Sequence, residues 1–148
     1  MSGETDLIKL YSARILELAA DMPRLGRLDA PCATVKRRSP LCGSTITVDI
    51  VAEDDRITDY AQDVRACALG QAAASVVGGN IVGCTLDEVR AARDGLLAML
   101  KENGPTPPAP FDGLEVLRPA ADYKNRHASI MLSLEASLEA LEKVTESA

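Results

Sequence analysis

Near residue 65 the hydrophobic period of this chain changes from two to about 3.6, and the fold class follows from that change. Before it, Ala33 and Val35 alternate with Cys32, Thr34 and Lys36. Ile46, Val48 and Ile50 then alternate with Thr45, Thr47 and Asp49, and residues 57–64 form a third run. Alternation places the apolar side chains of a strand on one face. The connections at 40–43 and 54–55 are short and rich in turn formers, so the three runs read as an antiparallel meander.

After the change the pattern is helical. Residues 66–77 are Ala-rich and are followed by Gly78, Gly79 and Asn80, which read as a C-terminal stop. Thr85-Leu-Asp-Glu88 is a capping box, opening a helix that carries Val89, Leu96, Leu97 and Leu100 and ends at 103–105. Residues 104–113 hold four prolines and read as an exposed insertion within the domain. A helical turn is expected at 114–117. A last helix is expected from about Lys124 towards Val144, with a carboxylate-rich solvated face. At the other end, Leu7, Leu10, Tyr11, Ile15 and Leu18 recur at helical spacing between a candidate cap, Asp6, and Pro23. The expected architecture is α+β: an N-terminal helix, a three-stranded antiparallel sheet, then helices packed on one face. With 148 residues, one domain spanning 1–148 is the expectation.

Composition narrows the function classes. Sixteen Lys+Arg against twenty-two Asp+Glu leave a net charge of −6, which argues against a nucleic-acid partner because phosphate neutralisation supplies most of that affinity. Aromatics make up 3%, with no Trp and one Phe, so base-stacking platforms are not expected and the core must come from Leu, Ile, Val and Ala. No run is apolar for long enough to span a membrane. No basic-then-apolar leader occupies residues 1–20, so a cytoplasmic, reducing location is expected, in which thiols stay free.

Four cysteines stand at 32, 42, 67 and 84, with no CxxC pair. Cys42 sits in a loop feeding a strand. Cys67 lies at the start of the Ala-rich helix, where unpaired N–H groups and the dipole favour a thiolate. His127, the only histidine, lies with Ser129 near the start of the last helix. Cys32 and Cys84 read as packing residues or plain free thiols. Spacing alone leaves Cys42 and Cys67 open to the same packing reading.

Three blocks carry a resemblance. Ser39-Pro-Leu-Cys42-Gly43-Ser44 followed by an alternating strand is similar to an Asn-Pro-x-Cys-Gly-Asp block. Arg65-Ala-Cys67-Ala-Leu-Gly-Gln-Ala-Ala-Ala-Ser75 is similar to a second cysteine block opening a helix of small residues. Tyr123-Lys-Asn-Arg126-His127-Ala-Ser129-Ile-Met-Leu132 falls where a third cysteine belongs. Together they resemble the iron–sulfur cluster assembly family of the NifU N-terminal domain, IscU and SufU. The proline-rich stretch resembles the insertion of the SufU-like branch, and the Leu-Pro-Pro-Val-Lys chaperone segment of IscU is missing.

The resemblance implies a three-stranded antiparallel sheet packed by helices, and a site of three cysteines and one aspartate. Here the aspartate is replaced by Ser44 and, in a gapless register, the third cysteine by Ser129; sliding the register by two residues would put His127 there. Cys42 and Cys67 are then the cluster or sulfur ligands, Cys42 also the sulfur acceptor, and Cys42, Cys67 and His127 the candidate metal ligands. The implied cofactor is a transient iron–sulfur cluster, or zinc. The implied partners are a cysteine desulfurase, near whose contact Arg126 aligns, and cluster-accepting apoproteins. Three readings stay open: an assembly scaffold, a zinc-bound sulfur acceptor of the SufU type, and a metal-free partner of the same machinery. All three make the chain a scaffold, carrier or partner rather than a turnover enzyme. Neutral hydroxyls are poor ligands for iron or zinc, so any metal held by the remaining residues is expected to be labile.

Overall fold

The computed structural model describes residues 12–40 and 43–147. Three strands, β1 (Ala33–Arg38), β2 (Thr45–Glu53) and β3 (Arg56–Arg65), form an antiparallel sheet in the order β1-β2-β3. Val35 pairs with Val48 and Val48 with Gln62, while Ile50 pairs with Tyr60. That register sets Val35, Ile46, Val48, Ile50 and Tyr60 on one buried face, as the alternation requires. A register shift between Val51 and Ala52 keeps Ile57 buried as well.

Helix α1 (Ala13–Ala20) starts at Ser12, whose hydroxyl accepts from the Ile15 N–H at 3.3 Å. The expected cap Asp6 and the beginning of that expected helix lie outside the described residues. Helix α2 (Ala68–Asn80) begins two residues later than its alanine content suggests and runs three residues further. Gly78 and Gly79 do not stop it. Gly78 lies inside the helix because a Cβ there would collide with the Gln62 amide. That amide is buried and donates to the carbonyls of Pro23 (3.0 Å) and Ala74 (3.1 Å), so a glycine is the residue that lets it through.

Helix α3 (Leu86–Glu102) carries the capping box in full, and Asn103 ends it in the left-handed conformation, φ 51°. The proline-rich stretch that follows is less exposed than expected. Pro107 is buried and lies against Gly95, and Arg118 ties Gly104, Asn103, Thr106 and Glu115 together. The expected single turn at 114–117 is a 3₁₀ run, Asp112–Asp122, which buries Leu114, Leu117 and Ala120. A short 3₁₀ turn (Lys124–Arg126) leads into α4 (His127–Ser147).

Helix α4 packs against β1, β2, α2 and α3, and so sits at the centre of one continuous core built from Ile, Leu, Val and Ala with Tyr60 and Phe111. Its carboxylates are not simply solvated. Glu139 accepts from Arg37 of β1 at 2.7 Å, and Glu135 meets Arg93 of α3 at 3.4 Å. On the opposite sheet face, fully buried Asp49 is held by Arg27 (2.6 and 3.1 Å), the Leu28 N–H (3.0 Å) and Thr34 (2.5 Å). These bonds pin the 24–28 segment over the sheet. Gly26 and Arg24 in that segment also bond the backbone of Gln62 on edge strand β3, which removes an open sheet edge.

Candidate functional site

The site forms where three connections meet: the 39–44 loop between β1 and β2, the start of α2, and the first turn of α4. The loop is closed by two backbone bonds, Ser39 N–H to Ser44 O (2.8 Å) and Gly43 N–H to Ser39 O (3.0 Å), with Gly43 at φ +69°. Glycine suits that conformation because it lacks the Cβ that makes it costly. Cys42 lies outside the described residues. Ser44, two residues on, is buried, and its hydroxyl is 3.0 Å from that of Ser129.

Cys67 occupies the N-cap position of α2 rather than its first turn. It is the residue whose carbonyl takes the first helical bond, from the Gln71 N–H at 2.9 Å. Its thiol stands at the open end of the helix without completing a cap hydrogen bond to the backbone. The Ser129 hydroxyl lies 3.6 Å from the sulfur, so Ser44, Ser129 and Cys67 form one hydroxyl–hydroxyl–thiol chain. Burial by itself pushes the Cys67 thiol up. The Gly70 N–H, the Ser129 hydroxyl, the Leu69 N–H and the charge of Arg126 outweigh it, and the thiol ends below its ordinary value. Electron-poor N–H groups at a helix start and a nearby guanidinium are the usual reasons for thiolate character.

Ser129 reaches this position because of Gly70. A Cβ on Gly70 would come within 2.6 Å of the Ser129 hydroxyl oxygen and 2.9 Å of the Ala66 Cβ. The glycine therefore seats the first turn of α4 against the first turn of α2. An isolated glycine inside an alanine-rich helix is the signal in the sequence that marks such a close approach.

His127 is not brought to Cys67. Its ring is buried, and Nε2–H donates to the carbonyls of Ala121 (3.0 Å) and Ala120 (3.2 Å), closing the end of the 3₁₀ run. Ser129 lies two residues further, about 200° around α4, which carries the histidine to the other side of the helix. Among the described residues no three of His, Cys, Asp and Glu are grouped so as to hold a metal ion. Ser44 and Ser129 bond one another and are closed in by packing. Ser39, in the same loop, is buried with a hydroxyl that has no hydrogen-bond partner among the described residues.

The other two described cysteines stand apart. Cys32 is exposed beside β1. Cys84 is buried, donates to the Asn80 carbonyl at 3.4 Å, and has its thiol pushed up to about 11 by burial and then by Glu88, against the pull of Arg56. A thiol held protonated in this way is a packing residue.

Residues 10–128 match a family described as NifU-like N terminal domain. The chain is 45% identical to a nitrogen-fixing NifU-like protein (N-terminal) from Brucella abortus, with a TM-score of 0.94, over 97% of this chain and 99% of that one. A hypothetical protein solved at 2.3 Å is 25% identical, with a TM-score of 0.79, over 91% and 98% of the two chains. A putative iron–sulfur cluster assembly scaffold protein for the SUF system, from thermophilic Fervidobacterium islandicum AW-1, shares the fold at 19% identity and a TM-score of 0.81, over 90% and 98%. A search of curated proteins found no match.

Proposed function

Because the chain belongs to the NifU-like N-terminal domain family, we propose that it serves iron–sulfur cluster assembly as a scaffold, with Cys67 and Cys42 as the working thiols. The observation that carries this reading is the setting of Cys67. It stands at a helix start, half-buried, with its thiol held below the ordinary value and bonded to Ser129. Cys42 lies in the loop whose Ser44 joins the same chain of hydroxyls.

The cluster is cargo in this proposal. Sulfur arrives when a thiolate of this chain, Cys42 or Cys67, attacks the outer sulfur of a desulfurase cysteine persulfide. A new S–S bond forms on that cysteine, and the desulfurase cysteine leaves as its thiolate, so the two electrons of the attacking pair are accounted for. A nascent cluster then takes two thiolates from this chain. Its remaining positions are filled from outside, since hydroxyls compete poorly for iron. Holding by two ligands favours release to an acceptor apoprotein. His127 is left out of the ligand set, its Nε2 being committed to Ala120 and Ala121. The partners of this reading are a cysteine desulfurase and acceptor apoproteins. No helix among the described residues is long and apolar enough to cross a membrane.

Anaerobic reconstitution with iron and sulfide tests the proposal. The expected result is a coloured protein whose chromophore is lost in Cys42→Ala and Cys67→Ala but kept in His127→Ala. Colourless protein without bound iron overturns it. Stoichiometric zinc released by Cys42→Ala would instead support a zinc-bound sulfur acceptor, and activity indifferent to alanine at all three positions a metal-free partner.

A further inference from the structure

On the side of α4 away from Cys67 lies a cavity of about 480 Å³. That is the size of a small-molecule site. Its floor is apolar, formed by Leu97 and Leu100 of α3 and Met131 of α4. Its polar groups are Lys101, Lys124 and His127, which come from three different elements.

Each polar group is open to a ligand for its own reason. Lys101 and Lys124 have no ion-pair partner among the described residues, in a chain whose net charge is −6 and where most arginines are paired. His127 is held rigid through Nε2, and Nδ1 has no hydrogen-bond partner among the described residues. Two cations over an apolar floor complement an anion that carries its own apolar body. A bare phosphate would leave Leu97, Leu100 and Met131 uncovered, and a cation would meet both ammonium groups.

We propose that this cavity binds a small amphiphilic monocarboxylate, its carboxylate between Lys101 and Lys124 and its hydrocarbon body on Leu97, Leu100 and Met131. The site is independent of the assembly reading, because its lining shares no residue with the Cys67–Ser129–Ser44 chain.

The single histidine of the protein makes the test direct. The His127 ring protons are followed by NMR at fixed pH, in protein free of iron and sulfide, while octanoate is added. The expected result is a saturable shift with a dissociation constant on the order of 1 mM, the range for a ligand of this size. K101A/K124A should weaken it by about fivefold or more, the loss of two partly exposed charge contacts. Octyltrimethylammonium, with the same tail and the opposite charge, should leave the ring protons unmoved. The proposal is overturned by no shift up to about 10 mM octanoate, by equal shifts with the two amphiphiles, or by unchanged octanoate binding in K101A/K124A.

Discussion

Cys67 and Cys84 are both thiols on the same framework, and their surroundings drive them in opposite directions. Cys84 is buried against apolar groups and next to Glu88, so its proton is retained. Cys67 is also desolvated, but Gly70 N–H, Ser129, Leu69 N–H and Arg126 favour its charged form. Ser129→Ala removes one of those contributions. The Cys67 thiol should titrate higher, and its alkylation, read on the Cys67 peptide by mass spectrometry across a pH series, should slow at neutral pH. Cys84 should stay unreactive in both proteins. Asp49 is the other residue with consequences for pH. Burial alone would raise its carboxyl, but Arg27, Thr34 and the Leu28 N–H outweigh burial and lower it. A carboxylate lowered on folding stabilises the fold above its unfolded value of about 3.9, and that contribution is lost as pH falls through the folded value. Asp49→Ala should therefore cost about 2 kcal/mol in urea unfolding at pH 7, from lost charge-assisted hydrogen bonds. The difference from wild type should shrink below about pH 4.

Helices show how close approach decides what a residue is for. Replacing a helical glycine with alanine ordinarily gains about 1 kcal/mol. At Gly70 the sign should reverse, because the new Cβ meets Ser129 Oγ at 2.6 Å and Ala66 Cβ at 2.9 Å. Gly70→Ala should destabilise by about 1–3 kcal/mol, the range for overpacking. Adding Ser129→Ala should restore part of the loss, which a thermal melt of the single and double variants would measure. Helix α3 offers the comparison without tertiary crowding. Thr85 accepts from Glu88 N–H at 3.2 Å, and Glu88 returns a bond to Thr85 N–H at 2.9 Å, at the protein surface. Thr85→Ala should cost about 1 kcal/mol, read as a lowered Tm.

At the scale of the whole molecule, one core of apolar side chains holds α1, the sheet, α2, α3 and α4 together. Burying apolar side chains at roughly 25 cal/mol per Å² is the dominant favourable contribution in a chain of this size. Chelation should therefore leave the helical circular dichroism signal unchanged. A large loss on adding EDTA would mean that a bound ion helps to hold the fold.

Much of this was legible in the residue order. The strand alternation gave β1, β2 and β3 because an antiparallel sheet with one buried face needs a period of two, and local turn chemistry joined neighbours. Thr85 and Glu88 announced α3 because a capping box is satisfied within four residues. The second and third blocks, being local motifs, singled out Cys67 and Ser129, which the fold sets 3.6 Å apart, while Cys42 lies outside the described residues. What sequence could not decide was which groups meet from far apart. Gly78 and Gly79 read as a stop, and only the packing of α2 against Gln62 gives Gly78 its place inside the helix, while Gly70 signals a close approach without saying that Ser129 makes it. His127 sits two residues from Ser129 in the chain yet serves the Ala120–Ala121 carbonyls, since a helix turns residues at that spacing to opposite sides. Asp49 reads as an ordinary outward polar residue of a strand, and it is buried because Arg27, brought across from a distant loop, covers it. Period, caps and motifs are properties of neighbouring residues and so belong to the sequence. Burial, charge pairing and the state of the Cys67 thiol depend on approaches between segments, and those only the tertiary structure decides.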